Sequence, residues 1–284
     1  MTRVAVTGGS GKLGHAVLEE LTGRGYEVLN LDRVPQSDVS IPFTRVDLTD
    51  FGQTVAALSS VDDRHAGVDA VVHLAAIPGP GMAPNHSIFA NNILATYNVF
   101  TAAQVAGISD IVWASSETLL GIPFDVPPPY LPVDEEYPAR PETSYALAKH
   151  LEEKMAAEIC RRDPALKMIG LRFSNVMTVE DYERFPSFDA DPKLRSWNLW
   201  SYIDRRDGAQ AVRKALEHES RGLDVFIIAN ADTVMTQPTI ELASQLFPEV
   251  PFRKEVGTNE TLLSIDKARR GLGYEPTHGW RDHV

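Results

Sequence analysis

Cysteine is nearly absent: Cys160 is the single one, so no internal disulfide can form. That usage fits a reducing compartment. A cationic surplus is absent too, with 27 Lys and Arg against 39 Asp and Glu and a formal net charge of −12. Nucleic acid and anionic membranes would be repelled, which argues against both as main partners. Long apolar runs are missing as well. The stretch 68–77 is broken by Asp69 and His73 and falls short of membrane length. There is no internal repeat and no low-complexity tract. A strand begins almost at the first residue, without a signal peptide before it, so a cytoplasmic, soluble protein is expected. Its 284 residues suit one large domain or two small ones.

What is present is organised around residues 4–14, VAVTGGSGKLG. Val4, Ala5 and Val6 suit a strand buried on both faces. Glycines follow at Gly8, Gly9, Gly11 and Gly14, and from Lys12 onward Leu13, Val17, Leu18 and Leu21 take helical spacing. Strand, glycine turn and helix in that order make G-x-G-x-x-G a dinucleotide signal. A Cβ would keep the backbone from a pyrophosphate whose charge sits at the helix N-terminus. A triphosphate P-loop is excluded, because Leu13 rather than Ser or Thr follows Gly11-Lys12.

A second strand, 27–31, closes at Asp32, 24 residues after Gly8, where ~20 separate the fingerprint from its acidic ribose ligand. A carboxylate there accepts ribose hydroxyls and repels a 2′-phosphate, favouring NAD over NADP; Arg33 beside it pulls the other way. Strands at 43–46, 70–74, 111–114, 167–173 and 224–229 alternate with helices at 53–58, 88–106, 144–162 and 208–217. That alternation predicts an α/β fold with a doubly wound parallel sheet of Rossmann type. Residues 1–176 read as the dinucleotide-binding domain, to which 201–230 return. Residues 177–200 and 231–284, with short helices at 240–246 and 263–272, read as a small substrate-binding lobe.

Several residues stand where this frame exposes them. Leu74, Ala75 and Ala76 leave the fourth strand, and the small ones let backbone lie against a cofactor. His73 reads as a hydrogen-bonded core histidine. Asp47 is placed to take an adenine amino group, and Asp50 to cap the next helix. The segment 123–141 carries seven prolines and reads as an ordered loop or lid, with a disordered stretch as the alternative. Tyr145 and Lys149 lie four apart on a helix, hence on one face. A tyrosine titrates near ~10, and an adjacent ammonium stabilises its phenolate, bringing it toward acid–base work. Ser116 leaves the fifth strand at the same sheet end as the glycine turn and can hold a substrate oxygen. Ser115 caps or pairs with backbone. Asn92 serves either in proton relay near Lys149 or as a buried structural amide.

Together, Thr7–Gly14, Asp32, Val46-Asp47-Leu48, His73–Ala76, Asn92, Ser115-Ser116, Tyr145-x-x-x-Lys149 and Leu171–Val176 resemble the extended short-chain dehydrogenase/reductase family, also called the NAD-dependent epimerase/dehydratase family. The resemblance implies Tyr145 as catalytic acid/base, Lys149 lowering its pKa, and Ser116 polarising the substrate oxygen. It implies Asp32 on the adenosine ribose, Asp47 at adenine, and Lys12 and Leu13 at the pyrophosphate through their backbone amides, with Gly8, Gly11, Gly14 and Leu48 also binding the cofactor. Leu74, Ala75, Ala76 and Phe173 would complete the cofactor wall. Sugar dehydratases of the family follow the serine with Asp-Glu; Glu117-Thr118 stands here, which disfavours dehydration. The short C-terminal lobe is similar to compact uronate dehydrogenases. Asn175 belongs to the substrate side. Arg195 reads as a solvated surface arginine, with a substrate carboxylate as its alternative partner, and Glu117 either touches substrate or caps a turn. The expected activity is hydride transfer between NAD and a secondary alcohol of a sugar or sugar acid. The alternatives are a nucleotide-sugar 4-epimerase and a non-catalytic NAD(P)-sensing protein. No metal is expected, and the family's pairing of the helices 88–106 and 144–162 implies a homodimer.

Overall fold

A computed structural model describes residues 2–35, 41–59 and 67–283. The chain runs β1 (Arg3–Thr7), α1 (Lys12–Gly23), β2 (Glu27–Asp32), β3 (Phe43–Arg45), α2 (Phe51–Leu58), β4 (Ala70–His73), α3 (Asn85–Val105) and β5 (Asp110–Ser116). It continues with α4 (Ser144–Arg162), β6 (Lys167–Phe173), β7 (Val176–Met177), α5 (Lys193–Ser196), β8 (Ile203–Asp204), α6 (Arg205–Glu217), β9 (Gly222–Ile228), α7 (Thr239–Leu246) and α8 (Asp266–Leu272). Among the described residues the main sheet has seven strands in the order β3-β2-β1-β4-β5-β6-β9. Every pairing in it is parallel.

Successive side chains of a strand point to opposite faces, so a strand covered on both must be apolar throughout. The core follows that rule. Val4 and Val6 join one apolar cluster with α1 and α6, while Ala5 joins the other with α2, α3 and α4. Val72, Val112 and Ile169 likewise face one layer, and Val71, Ile111, Trp113 and Met168 the other. Cys160 is a free, buried member of the second cluster. No described helix is long and apolar enough to cross a membrane.

The sequence-based boundaries shift where a polar side chain captures a helix end. Asp50 accepts from Gln53 N and starts α2 at Phe51, a cap of the kind that contributes roughly 0.5–2 kcal/mol. Asp204 accepts from Arg206 N and starts α6 at Arg205, three residues before the expected 208. The expected helix over 263–272 begins only at Asp266, because Ser264 N is held by the carbonyl of Val133. The proline-rich segment is an ordered strap. Leu131 and Val133 are buried and exchange backbone bonds with 251–264, and Glu135 accepts from Ile227 N at the end of β9.

Candidate active site

β1 and β4 are sheet neighbours, but their following helices pack on opposite faces, so a crevice opens between their carboxyl ends. A cavity of about 1040 Å³ occupies it and extends past the ends of β2, β5 and β6. The glycine turn forms its floor. Gly8 has φ +72 and an added Cβ would lie 2.6 Å from Ala75 N, so the turn is pressed against the exit of β4. At Gly14 a Cβ would lie 2.1 Å from the Gly8 carbonyl oxygen, locking α1 to the turn. Thus two of the glycines admit protein backbone rather than only a ligand; at Gly11 an added Cβ would lie 3.3 Å from the Gly8 carbonyl oxygen, tight but short of a clash. Gly11 caps α1 without a side-chain hydrogen bond, so the helix's first amides stay available to an anion.

Asp32 lines the cavity and is itself held, accepting from Ser10 N (3.0 Å) and Arg33 N (2.6 Å). The Arg33 guanidinium turns to Asp47 at 2.6 Å. Arg33 and then Thr49 hold the Asp47 carboxyl down to about 2. Asp47 is not among the cavity-lining residues, whereas Val46, Leu48 and Thr49 are. The Asp47 carboxylate serves the Arg33 pair, while its neighbours face the cavity.

At the opposite end stand Ser116, Glu117, Tyr145 and Lys149, all lining the cavity. Ser116 Oγ accepts from Thr118 N (3.2 Å) and Thr118 Oγ1 (2.9 Å), which leaves its own proton to donate. Lys149 Nζ donates to the Ala114 carbonyl (2.8 Å) and to Glu152 Oε2 (3.0 Å), and lies 5.9 Å from the centre of the Tyr145 ring. Burial raises the Tyr145 phenol above its ordinary value, and the opposing pull of Lys149 does not cancel it. This corrects the expectation of a lowered pKa: the ammonium acts in the expected sense, but burial and the Glu152 carboxylate outweigh it. Ser115 also departs from expectation, donating to Glu153 Oε1 at 2.6 Å instead of meeting backbone. Glu153 is in turn gripped by Arg172.

Asn92 is fully buried, and both ends of its amide hold Ile77, accepting from its N (2.8 Å) and donating to its O (3.0 Å). It shapes the chain after β4 and does not line the cavity; Asn91 does. His73 is a core histidine as expected, between Thr7 Oγ1 (2.7 Å) and Thr96 Oγ1 (3.0 Å). Burial, then Lys149, lowers it to about 3, so it is neutral.

Arg195 is buried, not solvated. It donates to Asn175 Oδ1 (3.2 Å) and the Ser201 carbonyl (2.9 Å), and stacks between Phe188 and Trp197. Burial brings it down to about 10. The sequence could not show this, because the enclosing aromatics come from an aperiodic segment. A side cavity of about 310 Å³ opens there, lined by Lys12, Asn175, Arg184 and Arg195, with Lys12 paired to Asp181 at 2.8 Å. Glu117 lines the main cavity within the field of Arg195. Burial lifts its carboxyl to about 7 against the opposing pull of Ser174, Asn198 and Arg195. Asn198 donates to its Oε1 at 3.2 Å. Leu199 and Trp200 after Asn198 hold left-handed backbone, φ 55 and 56, rare for bulky residues and typical of constrained sites.

The remaining expected residues, Gly8, Gly11, Lys12, Leu13, Gly14, Leu74, Ala75, Ala76, Phe173 and Asn175, all line the main cavity. Asn198 and Glu152 carried no legible signal, one lying in an irregular stretch and the other reading as an ordinary helix carboxylate. Among the described residues no three His, Cys, Asp or Glu gather to hold a metal.

Comparisons with known proteins agree with this geometry. The sequence pattern of the NAD dependent epimerase/dehydratase family matches residues 4–229. UDP-glucose 4-epimerase of Bacillus subtilis is 27% identical, the match covering 97% of this chain and 93% of that one. L-arabinose 1-dehydrogenase (NAD(P)(+)) of Haloferax volcanii is also 27% identical, over 97% and 96% of the two chains. A crystal structure of UDP-galactose 4-epimerase superposes with a TM-score of 0.70 at 25% identity, over 98% and 94%. An uncapped glycine cradle, a carboxylate at the end of β2 and the Tyr145–Lys149 face fit the residues that such a cofactor needs. The chain belongs to the NAD dependent epimerase/dehydratase family, as an NAD-using enzyme of the extended short-chain dehydrogenase/reductase type.

Proposed function

We propose that the protein is a dehydrogenase that oxidises a secondary alcohol of a small sugar or sugar acid carrying no nucleotide, or reduces the matching carbonyl. NAD, when bound, supplies the hydride acceptor or donor and, oxidised, a positive charge beside the reacting carbon. Tyr145 takes the hydroxyl proton during oxidation and returns it during reduction. Ser116, whose hydroxyl accepts from Thr118 and stands within hydrogen-bond reach of Tyr145, turns its own proton to the substrate oxygen and holds it beside the phenol. Lys149 favours the phenolate. The glycine turn and the amides of Lys12 and Leu13 hold the pyrophosphate, and Asp32 the adenosine ribose. Asn175, Glu117 and Arg195 form the substrate side.

The observation that carries the nucleotide-free reading is the scarcity of uncommitted cations among the described residues around the substrate side. A diphosphate needs several, since unpaired charged oxygens are costly to desolvate. Lys12 is paired to Asp181, Arg206 to Asp204, and Arg195 shares the field of Glu117. Arg184 and Arg195 suit one carboxylate or hydroxyl cluster. Turnover with free aldoses or uronic acids, with net NADH release, is the expected result when purified protein and NAD are screened against them and UDP-sugars. Micromolar binding of UDP with no response to free sugars would restore the 4-epimerase.

NAD is expected to bind more tightly than NADP. Asp32 repels a 2′-phosphate, and Arg33, the group that could receive one, is committed to Asp47. Calorimetric titration with both cofactors decides it; equal or tighter NADP binding would mean that Arg33 leaves Asp47.

The reading includes a homodimer through α3 and α4. Leu94 and Tyr97 of α3 and Leu147 and Leu151 of α4 are exposed apolar residues on packed helices, the kind of surface that association covers. Light scattering at micromolar concentration should give twice the chain mass, and a monomer mass removes the proposal.

A further inference from the structure

We propose that Glu152 is a positioning residue for proton transfer at Tyr145: it holds the Lys149 ammonium from within the fold and offsets its positive charge. The inference rests on the reading of Tyr145 and Lys149 as the reacting pair. Glu152 is completely buried, one turn after Lys149 on α4, with Oε2 3.0 Å from Nζ. Its other oxygen makes no hydrogen bond of normal geometry, and burial raises the carboxyl above its ordinary value against the opposing pull of Lys149 and the Thr96 hydroxyl. A buried carboxylate in that condition is costly unless a cation compensates it. The neighbouring buried carboxylate, Glu153, has its own cation: Arg172 donates to both its oxygens, at 2.9 and 2.8 Å. Of the two carboxylates, Glu152 is the one that Lys149 bonds directly.

The arrangement sets where the phenol titrates. Facing Lys149 are Glu152, Tyr145 and Glu153 from α4 and the neutral His73 from β4; Glu117, after β5, faces Tyr145. Burial works to lower the Lys149 ammonium, but Glu152, Tyr145 and Glu153 outweigh it and the net direction is up. Lys149 thus stays protonated. On Tyr145 the two charges act oppositely, Lys149 lowering the phenol and Glu152 raising it. With Lys149 still protonated, neutralising Glu152 is expected to move the phenol downward.

Glu152→Gln removes the charge and keeps the shape. The pH dependence of kcat/KM for alcohol oxidation reports the base in the free enzyme. Its rising limb is expected to move about one pH unit lower in Glu152→Gln, the low end of the shift that a neighbouring charge produces. The phenolate absorbance of the cofactor-free protein, taken as the difference from the matching Tyr145→Phe variant, should move the same way. Glu152→Asp keeps the charge but shortens the reach, so its limb should stay at the wild-type position while kcat falls. It also serves if the glutamine variant does not fold. An unmoved or upward-moving limb and absorbance in Glu152→Gln, or an aspartate variant whose limb shifts, overturns the proposal. Full activity in Tyr145→Phe overturns the reading beneath it instead, and the two failures are distinguishable.

Discussion

Tyr145→Phe is expected to lower turnover at least a hundredfold, the lower end of the ~10²–10⁴ that a positioned acid–base group contributes. The loss should fall on kcat with cofactor affinity nearly unchanged, because the contacts proposed for the dinucleotide, the glycine turn and Asp32, line the other end of the cavity. The fold should survive: the ring stays buried beside Lys149, and only the hydroxyl leaves. Stopped-flow or steady-state NADH formation measures kcat, and titration of NAD measures the affinity. Retention of more than about a tenth of wild-type turnover would remove Tyr145 from the proton path, since even ~10²-fold is the low end for such a group.

The other large effect is at Gly14. Helix propensity alone says that Gly14→Ala, inside α1, stabilises by up to ~1 kcal/mol. Packing says the reverse. The added Cβ would stand 2.1 Å from the Gly8 carbonyl oxygen and 2.7 Å from Gly9 Cα, and backbone atoms cannot rotate away. Relieving such overpacking typically costs about 1–3 kcal/mol, so the clash outweighs the propensity. The displaced atoms belong to the turn proposed to cradle the pyrophosphate, so NAD binding should vanish at concentrations that saturate the wild type. Gly23→Ala is the control: nothing lies within 4 Å of its added Cβ, and propensity should prevail. Thermal unfolding with and without NAD reads both. Unaltered NAD binding by Gly14→Ala would show that the turn deforms freely and that its tightness is not what shapes the site.

The course of the chain was legible residue by residue because buried parallel strands must be apolar on both faces. Val4–Val6, 70–74 and 167–173 announce themselves that way, and Gly8–Gly14, Asp32, Ser116, Tyr145 and Lys149 follow at positions set by strand ends and one helical turn. Family membership needed no more than that. What the sequence could not determine is which side chain each polar group meets, since partners separated by dozens of residues leave no local period. Arg33 meeting Asp47, Ser115 meeting Glu153 and Asn92 meeting Ile77 are of this kind. So is the burial of Arg195 between Phe188 and Trp197, assembled from a segment with no regular pattern. Tertiary structure also decided the sign at Tyr145. Spacing says that a lysine lowers the phenol, but only the folded interior, with its burial and with Glu152 against Lys149, makes the net direction upward.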